Sequence, residues 1–128
     1  MKLLRHLAPA ALLVLGTLLV AGCSDNNDDG GTVTPNSIIT IVPGAFDDGM
    51  MAFSPPIDTV HVGNVVRMNN GDSIPHNIQP DPTGGTFPVW GSLPQGTGSN
   101  VTASAAGTFG YQCIVNGHTM TGTLVVLP

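Results

Sequence analysis

Three side chains with an affinity for soft metal ions lie within eight residues of one another in the stretch YQCIVNGHTMTG, Tyr111 to Gly122: the thiol of Cys113, the imidazole of His118 and the thioether of Met120. A second imidazole, His76, stands upstream in NNGDSIPHNI, Asn69 to Ile78. Thiolate, imidazole and thioether together suit a transition metal better than they suit Mg²⁺ or Ca²⁺, which take oxygen ligands. Taken alone, His76 reads as a structural or surface histidine, and only the distant Cys113 makes it a candidate ligand. These residues are 37 positions apart in the chain, so a fold has to bring them together.

The N-terminus sets the redox compartment in which that thiol would have to survive. Lys2 and Arg5 precede the apolar run LAPAALLVLGTLLV, which ends at AGC. A basic start, a short apolar run and small residues before a cut are the pattern of a secretory signal peptide, here residues 1–22. The run is short for a membrane-spanning helix. VAGCS, Val20 to Ser24, resembles the lipobox of bacterial lipoproteins, which implies cleavage before Cys23 and a lipid on Cys23. The polar stretch SDNNDDGGTVTP then reads as a flexible tether, so residues 23–35 form a lipid-anchored linker and residues 36–128 the folded domain. Cys113 is left as the single thiol of that domain, either buried and inert or bound to something.

Charge narrows the partners. The chain carries a formal net charge of −5, and loss of residues 1–22 removes Lys2 and Arg5, leaving Arg67 against eight Asp. Such a surface excludes nucleic acid and gives no basic patch for anionic lipid heads, so membrane contact is expected through the lipid anchor only. An electrostatic partner should present a basic face. No P-loop, G-x-S-x-G or H-E-x-x-H is present.

The elements that must position the donors are strands. Gly and Pro punctuate the folded part every few residues, with short β-branched runs between them. The expected strands are Ser37–Val42, Asp58–Val62, Asn64–Asn70, His76–Pro80, Asn100–Ala105, Thr108–Cys113 and Thr121–Leu127. This pattern predicts an all-β sandwich of about seven to eight strands. In TFGYQC, alternation puts Phe109, Tyr111 and Cys113 on one face, the core face, with Cys113 at the strand end where a loop begins. In TVHV the same argument turns Val60 and Val62 inward and His61 to solvent. Asp47 and Asp48 read as loop residues. Met50, Met51 and Met68 read as packing, and Trp90 either caps the core or presents a contact surface.

Several stretches resemble the cupredoxins, the small blue copper proteins that include plastocyanin, amicyanin and azurin. IVPGA at Ile41–Ala45, FSPPIDTVHVGNVVRMNN at Phe53–Asn70 and DSIPHNI at Asp72–Ile78 are similar to the N-terminal half of bacterial plastocyanin-like domains. GTFGYQC and MTGTLVVL, within Gly107–Leu127, are similar to the C-terminal half. The resemblance implies a Greek-key β-sandwich, one mononuclear copper, and ligands from a P-H-N segment (His76) and from the loop between the last two strands. It also implies that Asn77 braces the two ligand loops, although Ile114 lacks the hydroxyl that this brace usually reaches.

The chain departs from the family at the second histidine. Short-loop relatives read C-x-x-H-x-x-M or C-x-x-H-G-x-x-M-x-G, which places Asn116 where that histidine belongs. The longer spacing C-x4-H fits Cys113 and His118, with Met120 following unusually closely. Imidazole is a good copper ligand and an amide oxygen a poor one, so His76, Cys113 and His118 are the expected ligands, with Met120 axial and Asn77 and Asn116 beside them. The resemblance then implies an extracytoplasmic electron carrier with a type 1-like copper site, not an enzyme, docking on a cytochrome or oxidase. The other readings are a copper storage or delivery module, and a structural sandwich whose site has decayed. Location would be the cell envelope, on the periplasmic or extracellular side.

Overall fold

The computed structural model describes residues 33–83 and 85–128. The expected signal peptide, the lipid-carrying Cys23 and the tether as far as residue 32 lie outside the described residues.

The described chain is a sandwich of two sheets. The strands are β1 (Ser37–Ile41), β2 (Phe53–Ser54), β3 (Ile57–His61), β4 (Val65–Asn70), β5 (His76–Pro80), β6 (Gly91–Leu93), β7 (Gly98–Thr102), β8 (Gly107–Cys113) and β9 (Thr121–Leu127). One sheet has the order β2-β1-β4-β7 and the other β3-β9-β8-β5-β6. The β1/β4 and β3/β9 pairs are parallel; the remaining pairs are antiparallel. The two strands beyond the sequence expectation, β2 and β6, have two and three residues, too few for alternation to show.

Period-2 burial decides which side chains form the core. Along β4, and along β9 as far as Val126, buried and half-buried residues alternate, which points Val66 and Met68 inward from one sheet and Leu124 and Val126 from the other. Ile39, Ile41 and Phe53 join the first group, and Val60, Ile78, Leu93, Tyr111 and Cys113 the second. Tyr111 packs edge-on against Phe53 and Trp90, with ring centroids 5.0 and 5.1 Å apart. Trp90 is therefore a core residue, and its indole N–H donates to the Val66 carbonyl at 3.3 Å.

Three expectations need correcting. β3 ends at His61, so Val62 lies beyond the alternation in a turn and is exposed, while His61 is exposed as expected. Met50 and Met51 do not pack in the core. They sit on the segment between β1 and β2, and Met51 is 71% exposed. That segment, expected as a loop at Asp47 and Asp48, is wound into two 3-10 turns, Ala45–Asp47 and Gly49–Ala52. Met68 is fully buried, as expected.

Candidate metal centre

The candidate donors lie at one end of the sandwich. His76 is the first residue of β5 and Cys113 the last of β8, and these strands pair antiparallel, with Ile78 opposite Cys113. The chain leaves β8 at Cys113 and returns as β9 at Thr121. The Cys113 N–H donates to the Met120 carbonyl at 3.1 Å, which closes the mouth of this loop. Inside it, the His118 N–H donates to the Val115 carbonyl at 3.0 Å across a turn with Gly117 at φ 83°, a left-handed conformation suited to glycine. This turn swings His118 back over the end of the sheet and leaves Asn116 exposed.

Two further backbone bonds hold the loop. Ile114 N–H donates to the Asn77 carbonyl at 2.9 Å, and Thr119 N–H donates to the Phe46 carbonyl at 2.9 Å. The brace expected of Asn77 is thus made by its main chain. Its side-chain oxygen instead accepts from the Gln79 amide at 2.9 Å.

Three donor atoms converge. Cys113 Sγ lies 3.8 Å from His76 Nδ1 and 3.4 Å from His118 Nδ1, and the two Nδ1 atoms are 3.2 Å apart. Three ligands spread evenly around one ion at bond lengths of roughly 2.0–2.3 Å would stand about 3.5–3.9 Å from each other. The observed spacing is close to that, so the donors fit a single small ion. Cys113 and His76 are buried, His118 is half-buried, and Met120 is fully buried at the end of the loop. Burial, followed by the neighbouring His76, holds the His118 pKa below the ordinary histidine value, against an opposing pull from Asp72. The His118 ring then offers a metal a lone pair rather than a proton near neutral pH.

Two residues without a role in the sequence reading lie beside these donors in the structure. Asp72, 3% exposed, sits 2.9 Å from His76 Nε2 through Oδ2. Its Oδ1 accepts from Gly44 N–H at 2.9 Å and Ser73 N–H at 2.7 Å. Burial alone would raise its pKa, but these hydrogen bonds and His76 outweigh burial and bring it down to about 2. The readable signal was a carboxylate four residues before a ligand histidine in DSIPH. Phe46, half-exposed, places its ring 6.2 Å from the His118 ring.

A buried Asn70 locks the turn that carries Asp72. Its Nδ2 donates to the carbonyls of Ile74 and Leu93 at 2.8 and 2.9 Å, and its Oδ1 accepts from the Asp72 N–H at 2.9 Å. All the polar atoms of this buried amide that face the turn are satisfied, which favours a single conformation.

Comparison with solved structures matches this architecture to a purple cupredoxin from Nitrosopumilus maritimus. The two are 28% identical over 72% of this chain and 100% of the other, with a TM-score of 0.60. The chain has a cupredoxin-like fold. An amicyanin variant in its reduced state shares the fold at 22% identity over 70% of this chain and 80% of that one, TM-score 0.54. A copper-containing nitrite reductase from Thermus scotoductus aligns at 20% identity and TM-score 0.58, with only 23% of its own length covered. No protein-family model matches the chain, and no curated protein does. Within the cupredoxin-like domain, the donor chemistry fits copper: two imidazoles and a thiolate converge, and a buried thioether residue lies at the loop's end.

Proposed function

We propose that the protein carries electrons outside the cytoplasm through a single type 1-like copper held by His76, Cys113, His118 and Met120. The observation that supports this most is the convergence of two Nδ1 atoms and one Sγ at ligand spacing, in a fold shared with a purple cupredoxin. Copper bound by such a set supplies one-electron chemistry, because Cu(I) and Cu(II) both tolerate it. The chain's own part is to hold the donors still. Strands β5 and β8 fix His76 and Cys113, and backbone bonds to Phe46, Asn77 and Val115 fix the His118 loop.

His118, half-buried where His76 is enclosed, is the edge through which electrons would enter and leave. Asp47 and Asp48 are exposed next to Phe46, so a cytochrome or oxidase with a basic face is the expected partner, docking less readily as salt rises. Export on a signal peptide at residues 1–22 and lipid attachment at Cys23 complete the reading. It rests there on the sequence pattern alone.

The exposed thioethers of Met50 and Met51 favour a second reading, a module that stores or delivers copper, since thioethers are Cu(I) ligands. Voltammetry of the full chain loaded with one equivalent of copper separates the two. An electron carrier gives a reversible one-electron wave and keeps its copper through repeated cycles. A delivery module releases copper to a chelator on reduction, and that outcome would replace the first reading with the second.

A further inference from the structure

The carboxylate of Asp72 is held so that it can do one thing to His76. Oδ1 is occupied by two backbone donors, the N–H groups of Gly44 and Ser73. Oδ2 faces His76 Nε2 at 2.9 Å, and both residues are almost fully enclosed. A carboxylate only accepts, so Nε2 must carry the hydrogen. The neutral imidazole then has its lone pair on Nδ1, the atom that points at Cys113 Sγ and His118 Nδ1.

We propose that Asp72 is a positioning residue that selects the metal-ready tautomer of His76 before any metal arrives, an inference that rests on the copper reading only for its consequence on affinity. The turn is built for this task. Gly44 reaches Asp72 from a left-handed backbone at φ 78°, and Asn70 holds the Asp72 main chain from the other side. A carboxylate fixed at three points has no freedom to turn away from the imidazole.

The geometry makes Asp72→Asn a sharper perturbation than Asp72→Ala. An amide has one oxygen, and the two backbone N–H groups claim it. Its NH2 then faces His76 Nε2, which has to accept, and the ring hydrogen moves to Nδ1, into the space between the donors. The reversed amide would set an NH2 against the N–H groups of Gly44 and Ser73, and both would lose their acceptor. Alanine leaves Nε2–H without its partner but opposes no tautomer.

Long-range ¹H–¹⁵N correlation of the imidazoles in the metal-free full chain, in mildly alkaline buffer, reads the tautomer directly. His76 should be the Nε2–H form in the wild type and the Nδ1–H form in Asp72→Asn. Competition with a chromogenic Cu(I) chelator should show affinity falling by roughly 10–100-fold in Asp72→Asn, the range seen when such outer partners are lost, and falling less in Asp72→Ala. A wild-type His76 in the Nδ1–H form overturns the proposal without need of a variant. So does an Asp72→Asn protein that keeps the Nε2–H form and full affinity. A wild type with the Nε2–H form that binds no copper supports the positioning role and removes the copper reading instead.

Discussion

Gly122 lies in β9 opposite Tyr111 of β8, on the strand pair that ends at Cys113, and replacing it with alanine tests how rigidly that pair is packed. A Cβ at Gly122 would overlap Tyr111 Cζ and come within 2.5 Å of both Cε2 and the hydroxyl oxygen. Apolar contacts settle at roughly 3.5–4.0 Å, so the shortfall is about 1 Å. The ring cannot swing clear, because Tyr111 is fully buried between Phe53 and Trp90. Overfilling a packed core costs roughly 1–3 kcal/mol. Three overlapped atoms and a ring held on two sides place this case near ~3 kcal/mol. At about 4–8 °C per kcal/mol for a domain of this size, the melting temperature should fall by roughly 12–24 °C. The sign is decisive, since glycine in a strand otherwise costs about 0.5–1 kcal/mol relative to alanine. Urea and thermal unfolding of the metal-free full chain measure the loss, and in a Tyr111→Phe background part of it should return. A Gly122→Ala protein as stable as the wild type would refute the packing argument.

Other outcomes follow from single groups. The Tyr111 hydroxyl is the one buried side-chain oxygen or nitrogen without a partner among the described residues, and burial raises its pKa further above the ordinary phenol value. Tyr111→Phe should therefore leave stability unchanged or raise it by about 1 kcal/mol, and a loss of that size in urea unfolding would mean the hydroxyl is bonded after all. Asp72 has a folded pKa lowered to about 2 from 3.8. A depressed carboxylate contributes stability above its unfolded pKa and loses it as pH falls through the folded one. The metal-free protein should thus weaken between about pH 4 and pH 2. Asp72→Asn should flatten that limb of the stability curve; parallel curves for the two proteins would contradict the assignment. Phe46 touches the ligand loop through its carbonyl and lies beside His118 through its ring. Phe46→Ala should leave the copper spectrum in place and slow electron exchange with a basic cytochrome, as followed by stopped-flow absorbance, whereas an unchanged rate would take Phe46 out of the docking face.

Much of the fold was legible because its strands alternate. His76–Pro80 and Thr121–Leu127 were read at their observed bounds, and Tyr111 and Cys113 were turned to the core from the period of TFGYQC alone. Where alternation stops, so does the signal. Val62 continues the pattern of β3 in sequence but lies past its last paired residue, and β2 and β6 are shorter than one clear period. At the second histidine position ligand chemistry favours His118 over Asn116, but the local sequence does not encode the loop path that this choice requires. That choice depends on a turn hinged at Gly117 and a hydrogen bond to Phe46, a residue remote in the chain. Asp72 was missed for a related reason. It is aimed at His76 by the N–H of Gly44, which donates to its carboxylate from a remote part of the chain, and by Asn70 Oδ1, which accepts from its main-chain N–H, and the DSIPH spacing alone does not show that arrangement.

In the proposed site His76, Cys113 and His118 close around one copper ion, with Asn116 outside. Cu(II) titration of the full chain carrying Cys23→Ser, followed by visible absorption and EPR, tests it most directly, beside His118→Ala and Asn116→His. An intense thiolate-to-copper band should saturate at one equivalent, be lost in His118→Ala and persist in Asn116→His. A wild type without that band, together with an Asn116→His variant that gains it, would mean that His118 is not a ligand and that position 116 is where the second histidine belongs.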